Sequence, residues 1–149
     1  MNTKTKTFPI FFSKYHHGCE SVFALAEHIF LAVENKEDYF IDHYDTVARI
    51  YPDVRQFVVR ERPSTTLILQ VDEDDAYMPN MKASFTLLID QLQHYLEKNE
   101  NEYICLELYN CYEMTLLDKI FFDVLMKRVL AFGFNLLIKM EENEVLGAV

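Results

Sequence analysis

The pattern over residues 81–140 constrains the fold most. Phe85, Leu88, Ile89, Leu92 and Leu96 recur at the i, i+3, i+4, i+7, i+11 spacing of an amphipathic helix, with Thr86, Asp90, Gln93 and Glu97 on its wet side. Lys98-Asn99-Glu100-Asn101 ends that helix. Tyr103 to Tyr109 then alternates as a strand, with Ile104, Leu106 and Leu108 inward and Cys105 on the opposite face. Thr115 to Ala131 returns to helical spacing through Leu117, Ile120, Phe121, Val124 and Leu125. Gly133 supplies a C-terminal cap, and Phe134 to Met140 reads as a last strand. Strands joined through a helix-length connection become parallel neighbours with right-handed crossovers.

Upstream the pattern is more mixed. QFVVRER and TLILQV flank the turn residues Arg62-Pro63-Ser64 and predict a β-hairpin, in which Leu67, Leu69 and Val71 share a face. Asp72-Glu73-Asp74-Asp75 follows as a loop with Pro79-Asn80. Before the hairpin, Cys19 to Val33 predicts one helix, and a second runs from an Asp38 cap to about Tyr51, ended by Pro52. Phe8 to Phe12 predicts a short strand, which Pro9 places at a sheet edge. The expected architecture is α/β (or α+β): an N-terminal helical pair, then a small mixed sheet of about four strands in hairpin, α, β, α, β order. One domain spans 1–149, made of a helical part (1–54), an α/β part (55–140) and an acidic tail (141–149).

With only three glycines and four prolines, the chain lacks the turns of an all-β sandwich, and it has no Gly-rich phosphate loop. The formal charge of −10 is unevenly spread. Nine acidic residues oppose eight basic ones up to Arg62; beyond it fifteen oppose six. Such a surface repels nucleic acid and anionic lipid and favours a protein partner with a basic surface. Three scattered cysteines without a CxxC pair suit a reducing, cytoplasmic compartment. The apolar run FPIFF is too short for a secretory segment, and no stretch reaches the length of a membrane span. The wide apolar face of residues 22–33 suits either a core or a homodimer contact.

The stretch ICLELYNCYEMTLLDKIFFDVLMKRVLAFGFNLLIK resembles the STAS domains of anti-sigma-factor antagonists, over roughly residues 55–140. It runs from an apolar strand carrying an acid (Leu106-Glu107-Leu108), through the loop Tyr109 to Met114, into a helix. The basic pair Lys127-Arg128 and Gly133 then precede the final strand. The resemblance implies a regulatory switch phosphorylated at the start of that helix. There the family has Asp-Ser and this chain has Met114-Thr115, which makes Thr115 the candidate phosphoacceptor and, on its residue type, also a helix N-cap.

No catalytic motif, metal-ligand spacing or cofactor motif stands out. The five histidines (16, 17, 28, 43 and 94) form no His-x-x-x-His pair, although His28 and His43 would face each other in a helical hairpin. Cys19 sits at a helix start beside His17, a setting that lowers a thiol pKa. Cys105 reads as an inert core thiol and Cys111 as a loop thiol. The acidic run Asp72, Glu73, Asp74 and Asp75 reads as a solvated docking edge or, less simply, a cation loop. Tyr109, Tyr112 and Glu113 combine aromatic contact area with charge and complete the candidate partner-binding set. The functional expectation is a non-enzymatic regulatory protein that binds another protein through this acidic, tyrosine-bearing surface. Alternatives are a dedicated acidic inhibitor, such as a toxin immunity or phage anti-defence protein, and an enzyme of unrecognised class.

Overall fold

The computed structural model describes residues 3–15, 20–57 and 74–140, with side chains from residue 80 onward in the last stretch. Its elements are β1 (Lys4–Phe11), α1 (Phe23–Leu31), α2 (Lys36–Asp42), α3 (Tyr44–Ala48), α4 (Asp74–Lys98), β2 (Glu102–Tyr109), α5 (Leu116–Phe132) and β3 (Leu136–Met140). Short 3-10 turns lie at Glu20–Val22, Pro52–Gln56 and Cys111–Glu113.

The three described strands form one parallel sheet in the order β1-β2-β3. Register aligns the apolar rows: Phe8 and Ile10 stand beside Leu106 and Leu108, and Ile104 and Leu106 beside Leu136 and Ile138. The N–H groups of Lys4 and Phe12 donate to the carbonyls of Asn101 and Tyr109, at 2.8 and 3.0 Å. Even-numbered nitrogens of β1 therefore point at β2, and Pro9, which has no N–H to offer, turns its nitrogen to the edge of the described sheet.

Strand order 1-2-3 with right-handed crossovers places both connections on one face of the sheet. The core lies between that face and the helices. His28 of α1 packs its ring 5.3 Å from Phe8 and 5.5 Å from Tyr95 of α4. Phe121 of α5 meets Phe85 of α4 edge-on at 5.2 Å, and Phe122 meets Phe12 at 5.7 Å. A second aromatic knot joins Phe30 to Phe40 and Tyr51. Buried Ser84 ties α4 to α3 by donating to the Thr46 carbonyl at 2.7 Å. Arg128 ties α5 to α4 through Asp90, at 2.6 Å.

The mixed α/β class and the helix-strand-helix-strand order after residue 80 match expectation, as do the edge position of Pro9 and the Gly133 cap, with φ +62°. Other expectations need correction. The described sheet has three strands, all parallel; the expected hairpin falls on residues largely outside those described. The N-terminal part is not purely helical, because Lys4–Phe11 is a full-length partner of β2. The strand starts four residues earlier than its apolar content suggests, since pairing with β2 recruits the polar run Lys4–Thr7. The second helix breaks at His43, whose φ of −122° is not helical. Asp74 to Asn80 is not a loop: it forms the first two turns of α4. Acidic residues at a helix start favour its dipole, and Pro79 near that start costs one ladder hydrogen bond. The apolar face of residues 22–33 is core, with Val22, Leu25, Ala26, Ile29 and Phe30 buried. No helix among the described residues is long and apolar enough to cross a membrane.

Two substitutions on one helix test this packing. Phe121 is buried against two other rings, so Phe121→Ala should cost about 3–5 kcal/mol in urea unfolding. Leu130 is 81 % exposed, so Leu130→Ala should stay within about 0.5 kcal/mol of the parent. Equal losses would place α5 the wrong way round.

Candidate functional site

Open α/β sheets present their ligands at the carboxyl ends of the strands. Here β1 and β2 deliver two loops to that end side by side. After β1, the Lys14 backbone N–H donates to Glu113 Oε1 at 3.3 Å. The Lys14 ammonium stands 5.3 Å over the Tyr15 ring. After β2, Asn110 takes the left-handed conformation (φ 60°) that turns the chain into Cys111–Glu113. That reversal lifts Tyr112 to the surface. Lys14, Tyr15, Tyr112, Glu113 and Met114 line a shallow cleft at this rim. Tyr15 and Tyr112 are 75 % and 71 % exposed. Just below, Phe11 and Tyr109 stack at 4.7 Å on the sheet face away from the helices, and the Tyr109 hydroxyl donates to Glu107 at 3.1 Å.

A buried carboxyl holds the rim in place. Asp118 is 3 % exposed. Its Oδ1 accepts from the Ser21 hydroxyl at 2.7 Å. Its Oδ2 accepts from the Thr115 N–H at 2.9 Å and the Thr115 hydroxyl at 3.0 Å. In return the Asp118 N–H donates to Thr115 Oγ1 at 3.3 Å, completing a capping box. Thr115 is thus the N-cap of α5, as its residue type predicts. Ser21, which opens the way into α1, is tied to the same point.

The rim brings together Tyr109, Tyr112, Glu113 and Thr115 from the sequence-predicted set. Asp74 and Asp75 begin α4. Asp72 and Glu73 lie outside the described residues, as does the stretch from His16 to Cys19. Lys14 and Tyr15 join the site without having been foreseen. The signal available for them was position: they follow the apolar run Phe8–Phe12, and the loop after a parallel strand opens at the ligand-binding end. His28 and His43 do not face each other; His28 packs on Phe8 and Tyr95, His43 on Tyr39. Among the described residues no cluster of three or more His, Cys, Asp or Glu has metal-binding geometry.

Two measurements follow from this geometry. Thr115→Ala should lower stability by about 1 kcal/mol through loss of the cap. Asp118→Ala should cost about 2–3 kcal/mol, because it strands several donors at once. A smaller loss for Asp118→Ala than for Thr115→Ala would remove Asp118 from the centre of the node. In a Cys19→Ser background, half-buried Cys111 should label with a thiol reagent before buried Cys105. The reverse order would contradict the placement of β2. No family model, no curated protein and no solved structure matches this chain.

Proposed function

We propose that the protein is a binding module that docks another protein on the rim formed by Lys14, Tyr15, Tyr112, Glu113 and Met114. The observation that carries this reading is the pair of exposed tyrosines, one from each strand-end loop, flanking a single carboxylate. Tyrosine brings a large rigid contact area at low entropic cost, and such residues dominate binding energy where they cluster. Glu113 is tethered by the Lys14 backbone, so part of the site is ordered before a partner arrives.

The acidic surplus beyond Arg62 selects a partner with a basic surface and speeds its approach. Asp74 and Asp75 contribute to that field from the start of α4. A dedicated inhibitor would use the same rim against a basic active site. In the switch version of the reading, a phosphate on Thr115 would displace the hydroxyl from Asp118 and set a dianion beside that carboxyl. The cap and the attached Ser21 contact would then open together.

The test is capture of partners from the native host with the parent chain, Tyr112→Ala and Tyr15→Ala, followed by binding kinetics on the purified partner. Each substitution should weaken binding about tenfold or more while leaving the fold intact, since both rings are exposed. Association should slow as salt rises. A partner that binds both variants as tightly as the parent overturns the rim as the docking site.

A further inference from the structure

The opposite end of the sheet holds a half-buried polar cluster that the rim does not use. His28 from α1, Tyr95 from α4 and Glu102 at the start of β2 meet there, beneath Lys6 of β1. The His28 ring is lodged between Phe8 and Tyr95, at 5.3 and 5.5 Å. Its Nε2 is sealed from solvent and has no protein partner, and the same holds for Oε2 of Glu102. Buried polar atoms are almost always satisfied, so two orphans in one cluster call for a reason.

The surroundings supply one. From β1, Lys6 places its ammonium 5.7 Å from the Phe8 ring and repels a positive imidazole. From β2, Glu102 attracts one, and its register partner on β1 is Lys4. From α4, the Tyr95 hydroxyl is neutral across the ordinary range: burial first, and then the Glu102 carboxylate, push its pKa up to about 12. On α1 itself the neighbouring charge is Glu27, which is exposed. Nearby, Glu34 and Lys98 form an exposed ion pair between the residues after α1 and the end of α4.

We infer that this end of the sheet is an acid-sensitive latch: neutral His28 holds α1 against β1 and α4, and on taking up a proton it leaves the pocket and loosens α1. Burial comes first in holding the His28 pKa below its ordinary 6.5, Lys6 adds to it, and Glu102 opposes both. The sign follows. The unfolded chain takes up a proton near 6.5 while the folded chain resists, so the latch is fully closed above that pH and weakens as pH falls below it. The latch does not rest on the rim reading, and the rim substitutions leave it unchanged.

The test uses the full chain from pH 8 to 5. The His28 imidazole resonance is assigned by its loss in His28→Gln and followed by NMR. Amide exchange in α1 and α5 is measured alongside and corrected for intrinsic rates. His28 should titrate below 6.5, and α1 should lose protection relative to α5 over that titration. Lys6→Gln should move the titration to higher pH and Glu102→Gln to lower pH. Both variants change polar side chains that leave the apolar core untouched, so the test survives if His28→Phe fails to fold. Where His28→Phe does fold, it should abolish the acid response of α1. A His28 midpoint at or above 6.5, charge variants that move it the same way, or α1 protection constant through the titration would each overturn the latch.

Discussion

The parallel pairing of β2 with a neighbour on each side is the constraint on which the rest depends. Leu106 sits between Phe8 and Ile138 in register, and with Ile104 and Leu108 it forms the floor of the core. Both crossovers must then pass over that floor, because right-handed connections through the order 1-2-3 cannot change sides. α1, α4 and α5 are crowded into one layer and meet through aromatic rings: Phe85 with Phe121, Phe12 with Phe122, His28 with Tyr95. The same pairing sets two strand-end loops beside each other at the rim and sets Lys6 beside the Glu102 end of β2.

What the sequence discloses follows from how local each feature is. Residues 85–96 can be read without their neighbours because five apolar side chains repeat at helical spacing, and Ile104, Leu106 and Leu108 alternate just as plainly. Lys4 to Thr7 cannot. Nothing in KTKT favours a strand; it becomes one because β2, ninety-eight residues later, has an unpaired edge. The break at His43 is not written in the periodicity either: Phe40, Tyr44, Val47 and Tyr51 would share one face of a straight helix, yet His43 leaves helical geometry and divides it in two. At Asp74, propensity misleads in the other direction: acids and a proline resemble a loop, yet the acids suit a helix start and the helix runs on through Pro79, its sixth residue.

The candidate site divides along the same line. Tyr109, Tyr112, Glu113 and Thr115 are legible because one continuous stretch carries them from strand through turn to cap. Lys14 and Tyr15 belong to the site only through a contact that spans ninety-nine residues, the Lys14 bond to Glu113. No periodicity records such a contact. Asp118 was equally hidden. In sequence it is one more acid on a helix, and its burial becomes meaningful only once Ser21 arrives from the other end of the chain.

Asp118 also shows how a strongly acidic chain tolerates a carboxyl in its interior. A buried carboxyl is costly unless donors surround it. This one takes two donors from Thr115 and one from Ser21, and it sits in the first turn of α5, where the helix dipole favours negative charge. The arrangement couples three elements: the entry to α1, the cap of α5 and, through Met114 and Glu113, the rim. A disturbance at Thr115 therefore cannot stay local to α5. His28 has no comparable set of donors at the far end of α1, so the two ends of that helix are held in opposite ways. Its start is held by a satisfied acid and its last turn by a base whose Nε2 has no partner.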